Sequence, residues 1–198
     1  MRGTPERDGD AGDREPRRAR AVLVGLACAV LAGAAVPGAS AAEAVAEPAR
    51  PFHSREGGFT ARFPEAPRYE EKQETTLLGM LRTRSWEVER GALRLRVERH
   101  DVPALATVAL GDEALLERAA RELLADADAR AAQTEPARLG TVAGRHLRYA
   151  PGERPGETED AWLYLLGRRL YVIFARGGTP STRATAARFA ASVEILED

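Results

Sequence analysis

Two consecutive six-residue runs, AWLYLL at 161–166 and LYVIFA at 170–175, are apolar at every position, and only Gly167-Arg168-Arg169 separates them. Six residues is strand length, and a strand sends alternate side chains to opposite faces of its sheet. Runs that are apolar at both parities therefore need cover on both faces. A tight turn between them makes the pair antiparallel neighbours, and the double burial places them at the centre of the sheet. The expected class is α+β, with an antiparallel sheet sandwiched between helices in an α/β/α arrangement.

Other segments flank that pair. Phe59, Ala61 and Phe63 alternate with Thr60 and Arg62 after the turn pair Gly57-Gly58, giving a short half-buried strand that ends at Pro64. Residues 69–78 are polar and threonine-rich, as suits an edge strand, and Gly79 turns the chain into a strand over 81–90. Beyond Arg90-Gly91, Leu93, Leu95 and Val97 face one side. Arg94, Arg96, Glu98 and His100 face the other, which reads as wet, up to Pro103.

Residues 112–130 have helical periodicity: Asp112 is the expected cap, and Ala114, Leu115, Leu116, Ala119, Ala120, Leu123 and Leu124 form the apolar stripe. A hairpin is expected over 137–142 and 145–150, turning around Gly144. Residues 151–157 are proline- and glycine-rich and form a surface loop. Thr179-Pro180 opens a last helix that buries Ala186, Phe189 and Ala190, with Val193 behind them.

The N-terminal region has a different character. Arg17, Arg18 and Arg20 precede the uninterrupted small-apolar run AVLVGLACAVLAGAAV at 21–36, followed by Pro37-Gly38 and the triplet Ala39-Ser40-Ala41. A basic n-region, an apolar h-region and a small-residue site with Ala39 and Ala41 at its key positions form a secretory signal, with cleavage expected after Ala41. The run is shorter than the roughly 18 to 20 apolar residues that span hydrocarbon, so stable membrane insertion after its removal is not expected. Residues 42–51 read as a linker and 52–198 as one domain, exported to the periplasm or the outside of the cell.

Residues 1–41 hold 6 of the 29 basic and 5 of the 30 acidic residues, which leaves a net charge of −2 on the remainder. That balance gives no electrostatic case for nucleic acid or for an anionic membrane. Cys28, the single cysteine, lies in the apolar run. Its removal excludes a disulfide framework, thiolate metal sites and a cysteine nucleophile from the mature domain.

The segments GGFTARFPEAPRYE at 57–70, TVAGRHLRY at 141–149, LYLLGRRLYVIFARG at 163–177 and RFAASVEI at 188–195, with the helix near 112–130, resemble the PsbP-like family. That family includes a photosystem accessory subunit, a Ran-binding relative, the envelope lipoprotein DcrB and exported bacterial proteins of unknown function. The resemblance implies an antiparallel sheet between helices and an accessory or binding role without known chemistry. It supplies no photosystem-binding or Ran-binding motif, so the expected partner is an unidentified envelope protein or small ligand.

Residue chemistry adds no catalytic, cofactor-binding or metal residue to that expectation. The histidines are His53, His100 and His146, with no metal-ligand spacing among them, and neighbours His100 and Asp101 should point to opposite faces. The alternative to a binding domain is a metal-binding protein or metal-assisted hydrolase, for which His100 and His146 would have to meet on one face. Ser54, Ser85, Ser181 and Ser192 lie in no nucleophile motif. Gly177-Gly178 before a helix start lacks the lysine of a phosphate loop, and Glu70-Glu71 and Glu157 to Asp160 lie in polar stretches. Trp162 is expected in the core, while the face of Trp86 is open. The sequence thus reads as a non-enzymatic exported binding domain without a cofactor.

Overall fold

The computed structural model describes residues 51–76, 79–154 and 156–196. The apolar run, Cys28, Ala39, Ala41 and the linker up to residue 50 lie outside them. The strands are β1 (Phe52–Ser54), β2 (Phe59–Ala61), β3 (Arg68–Thr76), β4 (Gly79–Arg90), β5 (Leu93–Asp101), β6 (Arg130–Leu139), β7 (Val142–Ala150), β8 (Glu159–Leu166), β9 (Arg169–Arg176) and β10 (Glu194–Ile195). The helices are α1 (Ala104–Leu110), α2 (Asp112–Asp126) and α3 (Pro180–Ala190).

Seven strands form one antiparallel sheet in the order β3-β4-β5-β9-β8-β7-β6, so the doubly apolar hairpin lies at its middle. One parity of that hairpin, Tyr164 with Tyr171, Ile173 and Ala175, joins a core with Leu95, Val97, Trp86, Phe59 and Phe189. The other, Ala161, Leu163, Leu165 and Val172, joins Leu147, Leu116, Ala120 and Ala106. Helix α3 packs on β9 and β5, and α2 packs on β8 and β7 from the opposite side. The fold is therefore α+β, with helices on both faces of an antiparallel sheet.

Trp86 is buried against Phe59, with ring centroids 5.0 Å apart and edge-on. A small sheet of β1, β2 and β10 carries Phe59 and Ala61 over this face beside α3. Phe63, expected in the same strand, lies beyond β2 but still packs on Phe189 at 4.7 Å. Helix α3 starts as its sequence indicates: Thr179 caps the Thr182 amide in a reciprocal box, with Pro180 in the first turn.

Several local expectations are corrected. The cap of α2 is Gly111, and Asp112 is its first residue, where the carboxylate faces the positive end of the helix dipole. The helix stops at Asp126 rather than 130, and β6 begins at Arg130 rather than 137. The β6–β7 hairpin turns at Gly140-Thr141. Gly144 lies inside β7 opposite Tyr164, where an added Cβ would collide with the tyrosine ring and the Leu163 carbonyl. Helix α1 was not expected at all.

The polar parity of β5 is not wet. Arg96 and Glu98 are buried and ion-paired, and Arg96 lies over the Phe174 ring at 5.6 Å. Arg94 donates from Nε to Glu87 at 2.7 Å. Guanidinium stems cover apolar surface while their heads find carboxylates, so a charged parity can close without a helix over it.

Candidate functional site

Strand register sends the histidines apart. His100 sits on β5 opposite Thr83 and Leu170, on the face that carries α2. His146 sits on β7 opposite Trp162, on the face that carries α3, with β9 and β8 between the two strands. They cannot share a metal ion, so the expected alternative site at His100 and His146 is not formed. Among the described residues no group of three or more His, Cys, Asp or Glu side chains has a metal-binding arrangement. His53 lies on the small sheet opposite Thr60.

His100 and Asp101 diverge as neighbours on a strand do. Asp101 accepts from Arg84 at 3.0 Å and from Arg99 at 2.9 Å on one face. On the other, the His100 ring bridges Thr83 Oγ1, 2.9 Å from Nδ1, and Glu98 Oε2, 3.1 Å from Nε2. A carboxylate only accepts, so Nε2–H donates to Glu98 and the Thr83 hydroxyl donates to Nδ1.

A hydroxyl, an imidazole and a carboxylate in line have the connectivity of a nucleophilic triad. The basicity is wrong for that task. Burial, and then the Arg96 guanidinium, lower the His100 pKa to about 4 against a weaker opposing pull from Asp101. A general base works best with a pKa near the operating pH. The arrangement instead fixes β4 to β5 through side chains, and the sequence hid it because its members come from two strands.

A second buried network closes the far end of the sheet. Tyr149 donates to Glu159 Oε1 at 2.9 Å, and Arg176 Nη1 donates to Glu159 Oε2 at 3.2 Å. Arg176 also meets Glu157 at 3.3 Å and Glu89 at 3.5 Å, and Arg154 reaches Glu89 at 3.7 Å. The carboxylates of 157–160, expected as loop acids, are thus divided: Glu157 and Glu159 bind the latch while Asp160 faces the other side. Burial and Glu159 raise the Tyr149 pKa, so its phenol stays a donor.

The third constellation has one open side. Trp162 is half-buried rather than core, and its indole stacks on the His146 ring with centroids 4.6 Å apart and planes within 5°. Asp160 Oδ1 holds His146 Nε2 at 2.8 Å and accepts from Arg148 Nε at 2.9 Å. In the neutral ring Nε2 then carries the proton, which leaves Nδ1 as an acceptor. Half-buried Ala137, Leu139, Val142 and Leu166 continue this face. Among the described residues no helix packs on β6, β7 or β8 from this side, because α3 lies over β9 and β5.

This is a platform: an aromatic surface, an apolar strip and a fixed His-Asp-Arg polar edge. Sequence reasoning assigned Trp162 to the core from strand parity and could not pair it with His146, because a long loop separates β7 from β8. The other residues weighed have local roles: Ser54 Oγ accepts from the Gly57 amide, Ser192 Oγ accepts from the Arg62 amide, and Glu70 pairs with Lys72 at 3.1 Å.

No family model matches the chain, and no curated protein does. Among solved structures, the chain is similar to the solution structure of cyanobacterial PsbP (CyanoP) from Synechocystis sp. PCC 6803, with a TM-score of 0.48 at 11% identity over 80% of this chain and 98% of that one.

Proposed function

We propose that this protein is an exported accessory domain of the PsbP-like kind that works by binding, not catalysis, and that it engages a small ligand or a segment of an envelope protein on the β6–β8 half-face. The observation that carries this reading is the Trp162-His146 stack on a stretch of sheet with no helix above it among the described residues. A large aromatic next to fixed hydrogen-bonding groups has the composition of a binding hot spot. The signal-like N-terminus supports export, and the low basicity of His100 supports a role without general-base chemistry.

Capture from an envelope extract tests it with the native chain and Trp162→Ala side by side. The native chain should retain a partner, or show a ligand-induced rise in melting temperature, that the variant loses while remaining folded. Equal retention by both proteins, or repeated blanks from the native chain in both measurements, would overturn the reading.

A further inference from the structure

Apolar exposure is concentrated at the opposite end of the molecule from the Tyr149-Glu159-Arg176 latch. Of the five large hydrophobic residues exposed among the described residues, Val108 at 86%, Leu105 at 65% and Leu110 lie on α1, Met80 at 58% lies at the start of β4, and Tyr69 lies on β3. The two pieces adjoin, since a Cβ at Gly79 would lie 3.3 Å from Pro103, the residue before α1.

Helix α1, ALATVAL, contains no charged residue, although 30% of the chain is charged, and Ala106 is its only buried side chain. Burial in the domain's own core therefore does not account for the leucines and the valine. Their high exposure means they project outward. A fluid lipid surface accepts projecting apolar side chains without a matching groove.

An arginine borders the tip. The exposed Arg168 is fixed beside the start of α1: its carbonyl accepts from the Val102 amide at 2.8 Å, and its Nε donates to the Val102 carbonyl at 3.2 Å. Arg82, two residues beyond Met80, is paired with Glu71 at 3.4 Å. The Arg168 guanidinium beside an apolar tip matches the layering of headgroup over acyl chain. The near-neutral total charge conceals this because the effect depends on placement.

We propose that α1 and the start of β4 form a membrane-surface tip that inserts its apolar side chains into the headgroup layer of a lipid bilayer. The tip is separate from the β6–β8 platform, so either can fail without the other. The test uses the full chain with Cys28→Ala and a polarity-sensitive fluorophore on Val108→Cys. A second preparation carries the same label on Glu153→Cys, in the loop at the far end of the sheet.

Vesicles contain phosphatidylcholine with one-quarter phosphatidylglycerol. Residues 21–36 can attach the chain to vesicles whatever α1 does, so the readout is the environment of the label. The label at 108 should shift to shorter wavelength and be quenched by spin-labelled lipid, while the label at 153 stays water-like. Adding Leu105→Asp should abolish quenching at 108 with the melting temperature unchanged. A water-like label at 108 on vesicles, or equal responses at 108 and 153, would overturn the proposal. A shift without vesicles that grows with protein concentration would also overturn it and assign the tip to a second copy of the chain.

Discussion

His100 enters its strand as a polar residue and ends as a buried neutral one, with a pKa of about 4 set first by desolvation and then by Arg96. In the unfolded chain it titrates near 6.5. Between those values the unfolded chain binds the extra proton, so stability falls as pH drops from about 6.5 to about 4 and is fully present above 6.5. From pH 7 to pH 5 this contributes a loss on the order of 2 kcal/mol. His100→Gln keeps an acceptor for Thr83 and a donor for Glu98 and does not titrate. Urea unfolding at both pH values should show a smaller acid loss in the variant; equal losses would refute the assignment. The strand position of His100 and its divergence from Asp101 were legible in the alternation of 93–100. Its dryness was not, because Arg96 and Glu98 neutralise each other through geometry that alternation does not encode.

At the scale of elements, the register of the central hairpin places Glu159 opposite Arg176. The turn is the two residues Gly167-Arg168 rather than the expected three, with Leu166 paired to Arg169, so counting outward from the expected turn misses this buried pair by one residue. Arg176→Met would leave Glu159 uncompensated, a change that costs about 3–5 kcal/mol in buried pairs. Urea unfolding should show such a loss, and adding Glu159→Gln should recover part of it, since the amide oxygen still accepts from Tyr149. A loss below about 1 kcal/mol would mean that the site relaxes or hydrates. The boundary between α2 and β6 lacked any such signal. The chain reverses through Asp128 at φ 44° and bends again through Ala131 at φ 51°, left-handed positions occupied without glycine. Conversely, Gly144 resembled a turn but serves a cross-strand ring, while the turn itself uses Gly140 at φ 59°. Only knowledge of the partner strand separates the two glycines.

For the whole molecule, parity at 161–166 and 170–175 carried the architecture: a hairpin apolar on both faces had to lie centrally between two layers. What parity does not contain is where along the sheet each layer sits. Helix α3 covers β5 and β9, α2 covers β7 and β8, and among the described residues the offset leaves the Trp162 half-face without a helix. This offset also grades the protection of the sheet. Strands β9 and β8 are paired on both edges and apolar on both faces, and β5 is paired on both edges, whereas among the described residues β3 and β6 each have one free edge and mostly exposed side chains. Amides that open only by global unfolding should therefore cluster in β5, β9 and β8, and those of β3 and β6 should exchange through local opening at lower free energy. Native-state hydrogen exchange resolved by residue checks the order. If β6 proved as protected as β9, a further part of the chain or a partner would have to cover that edge, and the platform beside it would not be open.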